Sequence, residues 1–379
     1  MWSPPSRGSQ VGPCRVVVPT RSVPEPRSRE TDPGETMPAA TDDDHMRTAL
    51  AHAATARRQV SPRPWVGALV VTPDGEAFGG ATEGRAGPHA EVVALERAGR
   101  RARGATVYTT LEPCSHHGRT GPCAEALIDA EVARVVMGIV DPDPLVAGQG
   151  VELLRGAGVD VQVGVLANEV EAQLAPYLVH RRTGRPLVVL KLAATLDGAT
   201  AAGDGTSQWI TGPDARADAH RLRADSDAVL VGAGTVRADD PSLTVRLPSG
   251  EADGVEPIRV VLGRAAPDRR IHPGVELDGD LGAVLDDLGG RGVLQVLVEG
   301  GATVARAFHD AGLVDRYVVY LAPALLGGVG GHGLFAGPGA ETIADVWRGE
   351  LADVRRVGAD VRIDMVPRTR PGAGAEGSD

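Results

Sequence analysis

"PHAEVVAL", Pro88–Leu95, followed by "LEPCSHHGRTGPCAEAL", Leu111–Leu127, is the pair of stretches on which the reading of this chain turns. The second holds Cys114 and Cys123, two of only three cysteines in 379 residues. Three states are open to them: a disulfide, two buried thiols, or metal ligands completed by His89. The first twenty residues, "MWSPPSRGSQVGPCRVVVPT", are broken by prolines and charges and lack the apolar core of a signal peptide. A cytoplasmic location is therefore expected, and a reducing compartment disfavours the disulfide.

The residue types favour metal over free thiols. A hydrolytic zinc site needs three protein ligands and one open position. His89 offers an imidazole, and Cys114 and Cys123 offer thiolates. Cys123 opens a predicted helix, whose positive end favours the thiolate. Glu91 stands two residues after His89 and is free to carry protons beside a water whose pKa zinc lowers to about 7. H-x-E followed by P-C…C is the pattern of zinc nucleobase deaminases, in which two residues part the cysteines. Here Ser115–Pro122, eight residues, part them. That insertion reads as a substrate loop, with His116, Arg119 and Thr120 suited to a phosphate or heterocycle, and with His117 simply solvated.

Outward from this motif, helical and strand patterns alternate. "MRTALAHAATA" predicts a helix, "WVGALVV" a strand running into a turn at "TPDGEA", and "AEVVALERAGRRAR" a helix stopped by Gly104. Strand "ATVYTTLE", helix "CAEALIDAEV", strand "ARVVMGIVD", helix "GVELLRGAG" and strand "VDVQVGVL" complete an α/β domain over residues 46–180, and "HRRTGRP" reads as a polar linker. A second α/β run over 186–366 starts at "LVVLKLAATLDG" and ends its readable elements at "RYVVYLAPALLGG". Residues 1–45 are expected to be a disordered extension or a misassigned start, with Met37 and Met46 as alternative initiators, and 367–379 a disordered tail.

Four segments carry a family resemblance: "SPRPWVGALVV", "GPHAEVVAL", "EPCSHHGRTGPC" and "DPDPLVAGQG". They resemble the deaminase half of the bifunctional riboflavin-biosynthesis deaminase/reductases, in which the long Cys–Cys spacer is the family's own form of the motif. The resemblance implies a cytidine-deaminase-like three-layer domain with His89, Cys114 and Cys123 as zinc ligands and Glu91 as proton shuttle. It places Ser115, His116, Arg119 and Asp141 in substrate-contact segments. Two positions depart from the family pattern, Arg63 and Asp143, where Asn is usual or frequent. Arg63 could meet the substrate phosphate or point away from it.

"KLAATLDGATAAGDGTSQWITGPDAR" and "RADSDAVLVGAGTVRADDPSLTVR" resemble the reductase half of the same family, which has a dihydrofolate-reductase-like fold. No G-x-G-x-x-G follows the first strand, so a Rossmann site is disfavoured. "VLVEGGATVARAF" supplies a strand, a Gly-Gly turn and a helix, aiming backbone N–H groups at an anion. By resemblance, Ala193, Trp209, Thr235, Asp239 and the turn Gly300, Gly301, Ala302, Thr303 would hold NADPH. Ser207, Arg223, Leu243, Arg246 and Glu299 would hold the sugar-phosphate substrate, with Arg223 and Arg246 on its phosphate. Core packing for Trp209 and helix-surface charge for the arginines are the plain alternatives. Lys191 is the single lysine among 39 Lys plus Arg, and its compact cation beside the site is expected to shape it. The segment from Arg259 to Glu299 is short, and Arg264 is the candidate reader of the cofactor's 2′-phosphate.

A net charge of −11 argues against broad nucleic-acid binding, and no apolar run approaches the ~20 residues that span a bilayer. The partners expected are small pyrimidine ribose phosphates, with Zn2+ and NADPH as cofactors; homo-oligomerisation is left open. Two rival readings differ from this one. A nucleoside or tRNA deaminase would turn over cytidine or RNA faster, and a family member that had lost one or both activities would only bind a metabolite or partner.

Overall fold

The computed structural model describes residues 40–117, 121–144, 146–246, 255–328 and 330–368. Helix α1, Asp42–Val60, begins four residues earlier than the sequence suggests, inside the expected extension. Thr41 explains the difference: it forms a capping box with Asp44, and three aspartates fill the first turn. The helix buries Met46, Ala49, Ala53, Ala56 and Val60. Strand β1 (Gly67–Val71) approaches it so closely that a Cβ on Gly67 would lie 1.9 Å from the Ala49 carbonyl oxygen.

The domain continues with β2 (Ala77–Ala81), α2 (Ala90–Ala98), β3 (Thr106–Leu111), α3 (Cys123–Asp129), β4 (Arg134–Ile139), α4 (Gln149–Gly156), β5 (Asp160–Val163) and α5 (Ala167–Thr183). Its sheet has the order β2-β1-β3-β4-β5. β1 is antiparallel to β2 and β3, while β3, β4 and β5 run parallel. Helices α1 and α5 touch each other against one face, and α2, α3 and α4 follow one another on the opposite face. This is the expected three-layer α/β sandwich.

Helix α5 corrects the sequence reading. It runs through "HRRT", which had read as linker, and leaves only Gly184–Pro186 between the domains. Its inner side buries Val170, Leu174, Tyr177 and Leu178. The helix read over residues 90–103 also stops sooner, giving way to a 3-10 turn at Gly99–Ala102.

The second domain comprises β6 (Leu187–Thr195), β7 (Ala199–Ala201), α6 (Pro213–Ala224), β8 (Ala228–Gly232), α7 (Ala233–Asp239), β9 (Ile258–Leu262), β10 (Val275–Leu277), α8 (Leu281–Gly290), β11 (Gln295–Val298), α9 (Ala302–Asp310), β12 (Arg316–Ala322), β13 (His332–Gly333), β14 (Gly349–Val357) and β15 (Asp360–Pro367). Eight strands form one sheet in the order β10-β9-β8-β11-β6-β12-β15-β14. The first six are parallel, and the C-terminal hairpin β14–β15 adds antiparallel to β12. Pro367 thus ends a strand and does not begin a tail. Near the compressed segment, the edge strand β10 keeps only three residues, with α8 following directly.

The sheet has a core on each face: Val284, Leu285, Leu288, Ala305 and Phe308 from α8 and α9 pack on one side, and Ala215, Leu222 and Val236 from α6 and α7 on the other. The domains meet through apolar packing, with Leu294 in the first domain's core and Ala175 and Val179 against the second's, and through polar contacts. Arg57 of α1 donates to the Asp225 carbonyl at 2.9 Å and to Gln295 Oε1 at 2.8 Å, while its guanidinium lies 4.7 Å from the centroid of the Trp65 ring.

Candidate active sites

The first site lies where the helices of one face begin. His89 is the N-cap residue of α2, Cys123 opens α3, and Cys114 follows β3 by three residues. Chain topology therefore brings three distant sequence positions to one point. His89 Nδ1 is 3.2 Å from Cys123 Sγ and 3.5 Å from Cys114 Sγ, and the Cys123 N–H points at Cys114 Sγ at 3.4 Å. One ligand atom from each residue falls within 4.8 Å of the others. Soft thiolates with an imidazole are the donor set zinc prefers.

Two buried polar atoms beside the cluster, Glu91 Oε2 and Ser115 Oγ, have no hydrogen-bond partner among the described residues. Orphans of this kind are rare unless a ligand, ion or water completes them. The residues present therefore fit a bound metal with a reactive species next to it. Glu91 is 3 % exposed, and burial pushes its carboxyl up to about 7 against the pull of His89. Cys114 is held well below the usual thiol range by Cys123, with His89 adding to the effect, and Cys123 is raised in turn by Cys114 and by burial.

Around this centre the expected substrate residues divide. His116 is exposed, as is His117, which reaches Glu125 at 3.4 Å. Arg119 and Thr120 lie outside the described residues. Asp141 is 6 % exposed, and its carboxylate accepts from Asp143 N–H at 2.9 Å and from the Tyr177 hydroxyl at 3.1 Å. It organises its loop from inside. Arg63 donates to the carbonyls of Gly84 (3.2 Å) and Gly87 (3.0 Å), bracing the loop that delivers His89. Asp143 pairs with Arg181 of α5 at 3.6 Å.

The second site is a cleft of about 610 Å³ in the other domain. It gathers Lys191, Trp209, Arg223, Thr235, Asp239, Leu243, Arg246 and Glu299, eight of the residues expected from the sequence. Lys191 sits in the middle of β6. Burial lowers its ammonium pKa, partly opposed by Glu299. Trp209 is 70 % exposed, which removes the core reading, and the Arg216 guanidinium lies 4.6 Å from the centroid of its ring. Ser207 lines an adjoining hollow with Thr195 and Ala199, sharing Gln208 and Trp209 with the main cleft.

Glu299 follows β11 directly, and the Gly300–Gly301 turn leads into α9, which Ala302 and Thr303 open. The Gly301 N–H donates to Thr235 Oγ1 at 3.2 Å, tying this turn to α7. Ala193 is half-buried on β6, two residues beyond Lys191. The turn and Ala193 are outside the lining of the main cleft. Arg264 carries a carboxylate on each arm, Glu276 at 3.1 Å and Asp278 at 3.2 Å, so its charge is already compensated.

Sequence reasoning missed Arg216, His220 and Arg270 in the cleft wall. A signal was present for the first two. Arg216, His220 and Arg223 recur at helical spacing, so α6 presents them on one face. Burial, with the charge of Arg223 nearby, holds the His220 imidazole below its ordinary range.

These two sites, one built for metal-assisted hydrolysis and one cationic and cleft-shaped beside a Gly-Gly turn, define a bifunctional enzyme with a deaminase-type and a reductase-type domain. The cytidine and deoxycytidylate deaminase zinc-binding region matches residues 39–139, and the RibD C-terminal domain matches residues 186–363. The riboflavin biosynthesis protein RibD of Escherichia coli K12 is 43% identical over 365 residues, covering 86% of this chain and 99% of that protein. RibD of Mycobacterium tuberculosis H37Rv is 43% identical over 342 residues, covering 86% and 97%. The solved structure of Acinetobacter baumannii RibD superposes with a TM-score of 0.81 at 37% identity, covering 86% of this chain and 99% of that one. A Thermotoga maritima deaminase/reductase follows at 0.77 and 33%, with the same coverage. The chain belongs to the RibD family, the bifunctional deaminase/reductases of riboflavin biosynthesis. No described helix is long and apolar enough to cross a membrane.

Proposed function

We propose that the first domain hydrolytically deaminates 2,5-diamino-6-ribosylamino-4(3H)-pyrimidinone 5′-phosphate. The second then reduces the ribosyl chain of the product with NADPH, giving 5-amino-6-ribitylamino-uracil 5′-phosphate. The observation that carries this reading is the His89–Cys114–Cys123 cluster with the unpartnered Glu91 Oε2 beside it.

His89, Cys114 and Cys123 would hold zinc, which when bound supplies Lewis acidity toward a water and lowers its pKa to about 7. Glu91 is the proton carrier: Oε2 accepts a proton as water adds to the amino-bearing ring carbon, and returns it to the departing amine, which leaves as ammonia. Its buried setting keeps the carboxyl able to both hold and release that proton near neutrality. Ser115 Oγ, His116 and Asp141 border the substrate, and Arg119 is assigned to it by the resemblance alone.

In the second domain Trp209 offers a flat face, and Thr235, Asp239, Ala193 and the Gly300–Thr303 segment form the cofactor side. NADPH supplies the hydride when bound. Arg246 is the phosphate anchor: its guanidinium is exposed and donates to Ser242 Oγ at 3.4 Å. Arg223, Leu243, Ser207 and Glu299 shape the sugar side, with Lys191 at the floor. A cytoplasmic enzyme acting on small pyrimidine phosphates follows from this reading.

The test is purified protein with the diaminopyrimidine phosphate, with and without NADPH, products identified by mass and zinc measured per chain. Deaminated product alone is expected without NADPH, and the ribityl product with it. Glu91→Gln should retain zinc and reduction while losing deamination. Undiminished deamination by that variant, or turnover of the deaminated compound without NADPH oxidation, would overturn the assignment.

A further inference from the structure

Glu112 stands between the end of β3 and Cys114, and its side chain is buried at 4 % exposure. Its carboxylate accepts four backbone N–H groups. Oε1 takes those of Gly150 at 2.9 Å and Val151 at 3.2 Å; Oε2 takes those of Gly148 at 2.9 Å and Asp141 at 3.2 Å. Three of these donors belong to the first turn of α4, whose own N-cap residue, Gly148, has no side chain to cap it. A carboxylate arriving from another strand does that work, where the helix dipole also favours negative charge. The fourth donor lies just past the end of β4, on the far side of the loop.

Asp141 and Gly148 are thus both tied to one buried side chain, two residues from Cys114. Tyr177 holds the Asp141 carboxylate from the opposite side. The approach is close: a Cβ on Gly150 would lie 2.1 Å from the Pro113 carbonyl oxygen. Glutamine could not replace the carboxylate, because its amide NH2 would face two N–H donors where an oxygen is needed.

We propose that Glu112 is a positioning residue of the deaminase, holding Asp141 and Gly148, the two ends of their loop, and the first turn of α4 against the segment that carries Cys114 so that substrate meets the metal ligands in register. This rests on the deaminase reading above. Charge-assisted hydrogen bonds to backbone N–H groups are among the stronger ones a fold can use. Breaking one end of the clamp frees the loop without removing a ligand.

The experiment uses the full chain. Glu112→Gln is expected to keep its zinc and its reductase rate, while KM for the diaminopyrimidine phosphate rises about tenfold or more and kcat changes by less than about threefold. Gly150→Ala pushes the same helix turn off Pro113 and should raise KM in the same way. Zinc-replete Glu112→Gln with an unmoved KM overturns the proposal. So does zinc loss in Glu112→Gln combined with a wild-type KM in Gly150→Ala, because Glu112 would then serve the metal strap alone. A wild type that does not deaminate this substrate sinks the functional reading and this proposal together; active wild type with unmoved variants sinks only the proposal.

Discussion

Arg223 and Glu299 meet fork to fork in the wall of the reductase cleft, Nε to Oε1 at 2.5 Å and Nη2 to Oε2 at 3.0 Å. Arg223 also donates to the Thr244 carbonyl at 3.2 Å. Burial alone would raise the Glu299 carboxyl, but Arg223, helped by Lys191, holds it below the usual range. The pair is nearly out of solvent, so removing one partner leaves a buried charge without compensation. Glu299→Leu and Arg223→Met should each cost about 3–5 kcal/mol of unfolding free energy. Arg223→Met/Glu299→Leu should recover most of that loss, because neither charge remains. Urea unfolding of the two single variants and the double variant measures the coupling, and additive losses would contradict it. All three should lose reductase activity.

Trp209 separates function from stability cleanly. With most of its ring exposed, Trp209→Ala should change stability by no more than about 0.5 kcal/mol. Yet the ring, with the Arg216 guanidinium over its face, lines the cleft. Reductase KM should rise about tenfold while deamination is untouched. A variant with both activities unchanged would return Trp209 to the solvated surface.

Lys191 lies on the central strand β6, with Glu299 and Arg223 as its nearest charges. A guanidinium is planar and larger, and it would contest Glu299 with Arg223. Lys191→Arg should lower reductase kcat/KM about tenfold or more, with the deaminase rate preserved. Steady-state kinetics of each half-reaction read this directly, and an unchanged reductase removes Lys191 from the site.

The metal cluster was legible in the sequence because zinc chemistry demands particular residue types, so His89, Cys114 and Cys123 announce themselves wherever the chain runs. The alternating α/β order was legible because many of its strands are apolar and some of its helices run into a glycine, as at Gly99, Gly158 and Gly184. Other parts left no such mark. Glu112 acts on backbone N–H groups, which no residue type reveals. Helix α5 ends in "HRRT" and carries Pro176, both of which look like chain breaks. Strand β15 reads inverted: Asp360, Arg362 and Asp364 are its buried positions, while Val361 is exposed. The period-2 alternation of Asp360–Met365 fits a strand, but it assigns the apolar residues to the inner face, where the charged ones lie.

That inverted face gives a prediction about acid stability. Buried Arg362 donates to Asp364 through Nε and Nη2 at 2.7 and 2.8 Å and to Asp218 Oδ2 through Nη1 at 2.7 Å. Tyr320 donates to the same Asp218 oxygen at 2.7 Å, and Arg316 reaches Asp364 Oδ1 at 2.9 Å. Burial pushes both carboxyls up, but the hydrogen bonds from Tyr320 and Arg362 to Asp218, and from Arg362 to Asp364, outweigh it and hold both below the usual range. A depressed folded pKa contributes stability above the unfolded value of about 3.9, and that stability is lost as pH falls through the folded value. Arg362→Met removes the counter-ion and should destabilise by about 3 kcal/mol or more at pH 7. Its deficit against the wild type should shrink as pH falls, because the variant's buried carboxyls, without Arg362, take up protons at a higher pH than those of the wild type. Urea midpoints at pH 7 and pH 3.5 for the two proteins decide the matter: converging midpoints are expected, and a constant offset would mean that packing, not charge, holds Arg362 in place.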